Sequence, residues 1–418
     1  MLLILSIIGA AIVAIITIYF LLKKQNKKVF LQFENAQKDK KNIQDLVEYA
    51  NDCIIVIDIV EGNIMMANPS TCRLLGYTKQ EIESLSIHQL FSESEISKGS
   101  TLVADVWEKK GMIFSELNFV TSTNESIPLE CSAKVATYQN QAAIVIYARD
   151  IRKRLLLERE LQQKNKDITD SIFYAERIQQ DLFPAKNELQ KLVPQSFLIF
   201  KPRDIVSGDF YWFQEVKTTD EKKTRLVVIA AADCTGHGVP GAMMSILGNY
   251  FLNLAARNPD VNSPADALNF INLETNNSLK SINDGMDIAM IAVDFDNMNL
   301  IFSGANNPVY IVRNDELIEI KGTKRPIGKY IDDNKKPFSN HDFSLQKNDC
   351  IYLFSDGFAD QFGGPRGKKF MYKQMRELLI AVAPLTMEEQ KREIENVFIN
   401  WKGNLSQIDD VMMIGIRI

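Results

Sequence analysis

Aspartates stand at the ends of apolar runs in four short motifs: Ser207-Gly208-Asp209, Asp233-Cys234-Thr235-Gly236-His237-Gly238, Ser355-Asp356-Gly357 and Asp409-Asp410. Asp233 and Asp356 follow the runs Leu226 to Ala232 and Ile351 to Phe354, so both lie at the exit of a buried strand. Asp209 and Asp410 instead open the runs Phe210 to Phe213 and Val411 to Ile416. In antiparallel neighbours the exit of one strand lies beside the entrance of the next, which gathers these carboxylates on one sheet edge. Crowded carboxylates repel one another unless protons or cations intervene, and an all-oxygen donor set favours hard cations such as Mg²⁺ or Mn²⁺. A single Asp beside Gly is ordinarily a turn residue. The repetition of the arrangement points to a metal site.

The ordered set resembles the bacterial PP2C-like serine/threonine phosphatases of the RsbU and SpoIIE type over residues 187–418. Ser207 to Tyr211 matches the family's Gly-Gly-Asp-Phe-Tyr element, and Asp233 to Gly238 matches Asp-Gly-x-Gly-His-Gly. Ser303-Gly304-Ala305-Asn306-Asn307-Pro308 and Pro326-Ile327-Gly328 match the central elements, and Ser355-Asp356-Gly357 with Asp409-Asp410 closes the series. Three positions depart: Ser207 and Cys234 replace glycines, and Met412 replaces the Thr of a terminal Asp-Asp-x-Thr. The resemblance implies two divalent ions, Mn²⁺ or Mg²⁺. It implies Asp233 as the bridge, Asp356 and Asp409 on one ion, the Cys234 carbonyl on the other, and Asp209 and Asp410 as outer or water-mediated ligands. A Cys234 thiolate would shift preference toward softer metals. Two such ions about 3.5–4 Å apart supply both a hydroxide and charge stabilisation for phosphomonoester hydrolysis. Arg203 reads either as a phosphate clamp or as a solvated surface residue. His237 reads either as a general acid or as a brace for the turn into a helix expected from Ala242 to about Arg257.

The rest of the chain sets this unit in context. At 418 residues it exceeds one ordinary domain. Leu2 to Leu22 carries no charge and is long enough as a helix to span a bilayer core, and Lys23, Lys24, Lys27 and Lys28 follow. The expectation over residues 1–28 is a single-pass anchor in a bacterial cytoplasmic membrane, with every later domain in the cytoplasm; a cleaved signal peptide is the alternative. Five scattered cysteines without a Cys-x-x-Cys pair fit a reducing compartment. A net charge of −5 without a basic block beyond the membrane flank gives no sign of a nucleic-acid partner.

Residues 42–150 resemble a PAS sensor domain, carried by Asn68-Pro69-Ser70, Leu75-Gly76-Tyr77-Thr78, Glu81-Ile82 and Arg149-Asp150-Ile151. His88 there is read as structural rather than as a haem ligand. Over residues 151–186, Leu157, Leu161, Lys164, Ile168, Ser171, Ala175, Ile178 and Leu182 alternate by fours and threes, a heptad seam with two polar members that suits a dimeric coiled coil, with an amphipathic helix packed on its own domain as the alternative; Phe183-Pro184 ends it. The expected fold is α+β: a PAS-like domain, a coiled-coil helical connector, and a PP2C-like α-β-β-α sandwich over 187–418. The implied function is dephosphorylation of phosphoserine or phosphothreonine on a regulatory protein of the anti-sigma-factor antagonist type, by a homodimer joined through PAS domain and connector. A catalytically inactive phosphoprotein-binding module is the alternative. A histidine-kinase-like scaffold lacks a histidine on the connector.

Overall fold

The computed structural model describes residues 2–109, 113–217, 225–279, 284–328 and 336–418, with most side chains of residues 2–20 outside that description. The chain divides into two compact units, Met1–Lys164 and Asn165–Ile418.

In the first unit, helix Leu2–Glu48 runs unbroken through the lysine cluster. The membrane anchor expected from Leu2 to Leu22 is not supported: among the described residues no helix is long and apolar enough to cross a membrane. The side chains of that apolar stretch lie largely outside those residues. After the helix comes a five-stranded antiparallel sheet in which Cys53–Asp58 lies between Ile64–Ala67 and Gln141–Asp150, followed by Ser126–Tyr138 and Ile113–Val120. One sheet face is apolar, and Ile55, Ile57, Phe119, Leu129 and Ile146 pack there with Leu75, Ile82 and Leu90. Asn68 shows why that motif needs an amide. Its Oδ1 accepts the N–H groups of Ile54 and Thr71, each at 3.0 Å, while Nδ2 donates to the carbonyls of Val47 and Asp52. It thereby caps helix Pro69–Leu75 from a buried position. His88 meets the Ser100 hydroxyl and the Phe91 ring, a packing role.

The second unit is a sandwich of two antiparallel sheets. One has the strand order His341–Ser344, Asn299–Ala305, Gly285–Asp294, Arg225–Cys234, Phe210–Lys217. The other has the order Glu316–Ile320, Val309–Arg313, Cys350–Phe354, Val411–Arg417, Ser196–Lys201. Alternation assigns the faces of the second sheet. Ile351, Leu353, Met412, Ile414 and Ile416 join the core shared with the first sheet. Cys350, Tyr352, Phe354, Val411 and Met413 face helices Met371–Val382 and Met387–Lys402. Helices Gly238–Ala255 and Pro264–Ser278 cover the first sheet, giving the expected α-β-β-α layering. The first of these begins at Gly238 rather than Ala242. His237 is its extended N-cap, and Pro240 falls in the first turn, where a missing N–H costs nothing. Met412, in place of the family's Thr, is fully buried between the sheets.

Helix Arg152–Leu182 carries the seam. Leu157, Leu161 and Ile168 on it are 53, 60 and 59% exposed, so within one chain the stripe is uncovered.

Candidate functional site

The carboxylates come from strand ends as expected, but of two sheets rather than one edge of a single sheet: antiparallel pairing brings them together within each sheet, and the packing of the sandwich joins the two sets. Phe210–Lys217 pairs with Arg225–Cys234, so the entrance of one, after Asp209, lies beside the exit of the other at Asp233. In the other sheet Phe354 is opposite Met413, which brings Asp356, just past one strand, near Asp409 and Asp410, just before the next. Burial pushes the Asp233 carboxyl up to about 8, and the charges of Asp356, Asp409 and Asp287 add to it. Asp356 rises to about 6, first from burial and then from Asp409. Asp209 is held well above the usual carboxylate range by burial and then by Asp233, with the Ser355 hydroxyl opposing. Asp409 is raised by burial.

Cys234 is 3% exposed and packs within the inter-sheet core, and burial drives its thiol well above its usual value. A side chain turned into that apolar core speaks against a thiolate ligand. The Cys234 backbone fits the expected carbonyl role better. A Cβ placed on Gly208 would collide with the Gly236 carbonyl oxygen and come within 3.5 Å of that of Cys234. The motif loops therefore meet backbone to backbone, which explains why Gly208 tolerates no side chain.

Asp410 is buried and fully engaged: the N–H of Arg203 donates to Oδ1 and that of Gly208 to Oδ2, each at 2.7 Å. It thus holds the loop that carries Asp209. The same loop is gripped from the connector helix. Gln179 Nε2 donates to the Ser207 carbonyl at 2.6 Å and to Ser245 Oγ at 2.8 Å, while Oε1 accepts the Ser207 N–H at 3.1 Å. Gln179→Ala would strand the buried Ser207 N–H, while the Ser207 carbonyl keeps the Ser245 hydroxyl at 3.1 Å, at a cost of about 1–3 kcal/mol. Equilibrium unfolding should show that loss, and Mn²⁺ titration should show weaker binding through the loosened Asp209.

Arg203 donates from Nη1 to the Ile408 carbonyl at 2.9 Å, and its charge lowers Asp409. It stands at the site rim, exposed. His237 Nδ1 lies 2.9 Å from Asp204 Oδ2, and its charged form also favours ionised Asp409. It is the N-cap of the helix, without a side-chain capping hydrogen bond, and a half-exposed imidazole held against a carboxylate.

Two further residues belong to this edge. Asp287 is the cross-strand partner of Asp233, on the same face, and accepts a 2.8 Å hydrogen bond from Asn306 Nδ2. Like charges directly opposite are destabilising, and burial raises Asp287 while Asn306 lowers it. Its sequence signal was the one that marks Asp209 and Asp410, an acid opening the apolar run Ile288 to Val293. Asp204, the partner of His237, had no such signal.

Among the described residues no three Asp, Glu, His or Cys side chains already form a metal-binding group. The donor set nevertheless fits a hard divalent cation. Asp209 Oδ2 is buried without a hydrogen-bond partner, and the neighbouring carboxyls raise one another's proton affinity. A carboxyl that binds its proton more tightly when folded stabilises the fold at low pH and loses that contribution as pH rises through its folded value. Without metal, stability should therefore fall by on the order of a few kcal/mol between about pH 4 and pH 8, the span from the ordinary value of 3.8 to the raised Asp233. Saturating Mn²⁺ should abolish the fall; thermal unfolding in EDTA and in Mn²⁺ across that range measures both.

Residues 223–418 match the family model described as stage II sporulation protein E (SpoIIE), and residues 51–153 match a PAS domain model. The SiaA-PP2C domain of Pseudomonas aeruginosa is 29% identical, covering 61% of this chain and 98% of its own, with a TM-score of 0.55. A PAS domain of Desulfitobacterium hafniense is 24% identical over 25% of this chain and 98% of its own, TM-score 0.24. The PP2C phosphatase domain with a regulatory-domain fragment of SpoIIE from Bacillus subtilis is 13% identical over 94% of this chain and 91% of its own, TM-score 0.43. A search of curated proteins gives no match. The chain thus carries a PAS-like domain followed by a PP2C-like domain of the SpoIIE type.

Proposed function

We propose that the second unit is a metal-dependent phosphatase that removes phosphate from serine or threonine of a regulatory protein, under control of the PAS-like domain. The observation that carries this reading is the buried, unpartnered Asp209 Oδ2 among mutually repelling carboxylates at the edge of a PP2C-like sandwich. Asp233, Asp356 and Asp409 with the Cys234 carbonyl are the residues to hold Mn²⁺ or Mg²⁺, and Asp209 completes the surroundings. When bound, the ions supply a hydroxide at neutral pH and positive charge for the phosphoryl oxygens. Asp410 keeps the Asp209 loop in place, Arg203 offers a guanidinium to the phosphate at the rim, and His237, oriented by Asp204, holds a proton for the departing oxygen. Every carboxylate position of the family pattern is filled, which disfavours an inactive binding module.

The substrate class we assign is a phosphoprotein of the anti-sigma-factor antagonist type. The uncovered seam on the connector favours a homodimer with a second copy of the chain. Hydrolysis of an aryl phosphate and of a phosphoserine peptide by the full chain, with Mn²⁺ and with EDTA, tests the activity. Turnover only with Mn²⁺ is expected. Metal binding without turnover would return the unit to a binding role.

A further inference from the structure

The segment between Asp356 and helix Met371–Val382 builds a basic, partly apolar shelf beside the site. After the single turn Gly357–Asp360, strands Phe362–Gly363 and Lys368–Lys369 pair as a hairpin. The hairpin is held firmly. Gly363 lies so close to Trp401 that a Cβ there would collide with the Trp401 carbonyl, the Gly364 N–H donates to that carbonyl at 2.8 Å, and Trp401 Nε1 donates to the Gln361 carbonyl at 3.0 Å. Gln361 also accepts the Ile408 N–H at 3.3 Å, just before Asp409. Lys369 is fixed to Asp360 at 2.7 Å. Met371 is forced into a left-handed conformation, φ 71°, which a non-glycine residue adopts only at a cost.

Against this rigid frame, several side chains are left without an intramolecular task. Arg366 and Lys368 are exposed and pair with no acid among the described residues, while Phe362 and Met371 are 41% and 55% exposed. With Trp401 they border an open cavity of about 860 Å³. The shelf adjoins the carboxylates. The ring of Tyr372, next to Met371, lies 6.3 Å from that of Phe354, two residues before Asp356, and the charges of Asp356, Asp360 and Asp233 add to the burial that raises its phenol.

Resting on the phosphatase reading above, we propose that this hairpin is the docking surface for the phosphoprotein substrate, and that it selects a phosphorylated residue flanked by Asp or Glu. Arg366 and Lys368 are two uncompensated cations on one hairpin, which complement acidic flanks, and Phe362 and Met371 supply the apolar contact that ion pairs in water lack. Neither cation touches the carboxylates, so their effect falls on substrate capture.

The test uses the full chain with Mn²⁺ and three probes: para-nitrophenyl phosphate, a phosphoserine peptide with acidic flanks, and the same peptide with Asn and Gln flanks. The unaltered chain should prefer the acidic peptide about tenfold in kcat/KM, a factor worth about 1.4 kcal/mol. Arg366→Glu with Lys368→Glu should erase that preference through KM and change aryl phosphate hydrolysis less than about twofold. An unchanged preference, or an equal loss on all three probes, would overturn the proposal. If the chain hydrolyses none of them, the phosphatase reading fails separately. Fluorescence anisotropy of the labelled acidic peptide then decides the docking surface: about tenfold weaker binding to the double variant supports it, and equal binding overturns it.

Discussion

Asp233→Asn should lose at least about a hundredfold in metal-dependent hydrolysis, yet the metal-free protein should become harder to unfold. The loss follows from the site: among the carboxylates, Asp233 is the one raised by the charges of Asp356, Asp409 and Asp287 together. It therefore stands where a cation would most relieve repulsion, and removal of one preorganised electrostatic group commonly costs two to three orders of magnitude. The gain in stability has the same origin. At pH 7.5 the folded apo-protein must hold Asp233 protonated or tolerate a buried charge beside other acids, and an amide of equal size avoids both. Kinetics with Mn²⁺ and thermal unfolding in EDTA measure the two halves. A variant that loses activity and also stability would mark Asp233 as a structural acid.

Asp410→Ala carries the opposite signature. Both oxygens accept backbone N–H groups, from the partly buried Arg203 amide and the buried Gly208 amide. Hydrogen bonds to a charged acceptor contribute about 1.5–3 kcal/mol each, and stranding two donors adds desolvation, so a loss of about 3–5 kcal/mol is expected in chemical denaturation. Activity should fall with it, because the loop anchored there carries Asp209. Asp410→Asn, with one oxygen left, should recover part of the stability. A variant with native stability and weakened Mn²⁺ binding would instead make Asp410 a direct ligand.

The four acidic motifs were legible because each couples a charged residue to the end of an apolar run; antiparallel pairing accounts for their meeting within each sheet, but that two sheets share the site was not legible. The layered fold was implied by the family resemblance that these motifs carry. Asp287 obeyed the same rule and escaped notice because its run lies between motifs rather than inside one. Gln179 is different in kind. On the connector a glutamine reads as one more polar residue of an exposed face, and only tertiary packing shows it 4% exposed with both ends of its amide occupied. The distinction between Asp409 and Asp410 was equally invisible. Adjacent and chemically identical, they diverge because the strand turns Asp410 inward to the backbone of a loop 207 residues away.

That separation has a consequence for biogenesis. Strand Val411–Arg417 lies between Cys350–Phe354 and Ser196–Lys201, and Asp410 just before it ties down the Asp209 loop. A nascent chain that has not yet delivered this strand has a divided second sheet and a loose first motif. Contacts this distant in sequence form late and slowly. The acidic edge is therefore gathered only once this strand has paired.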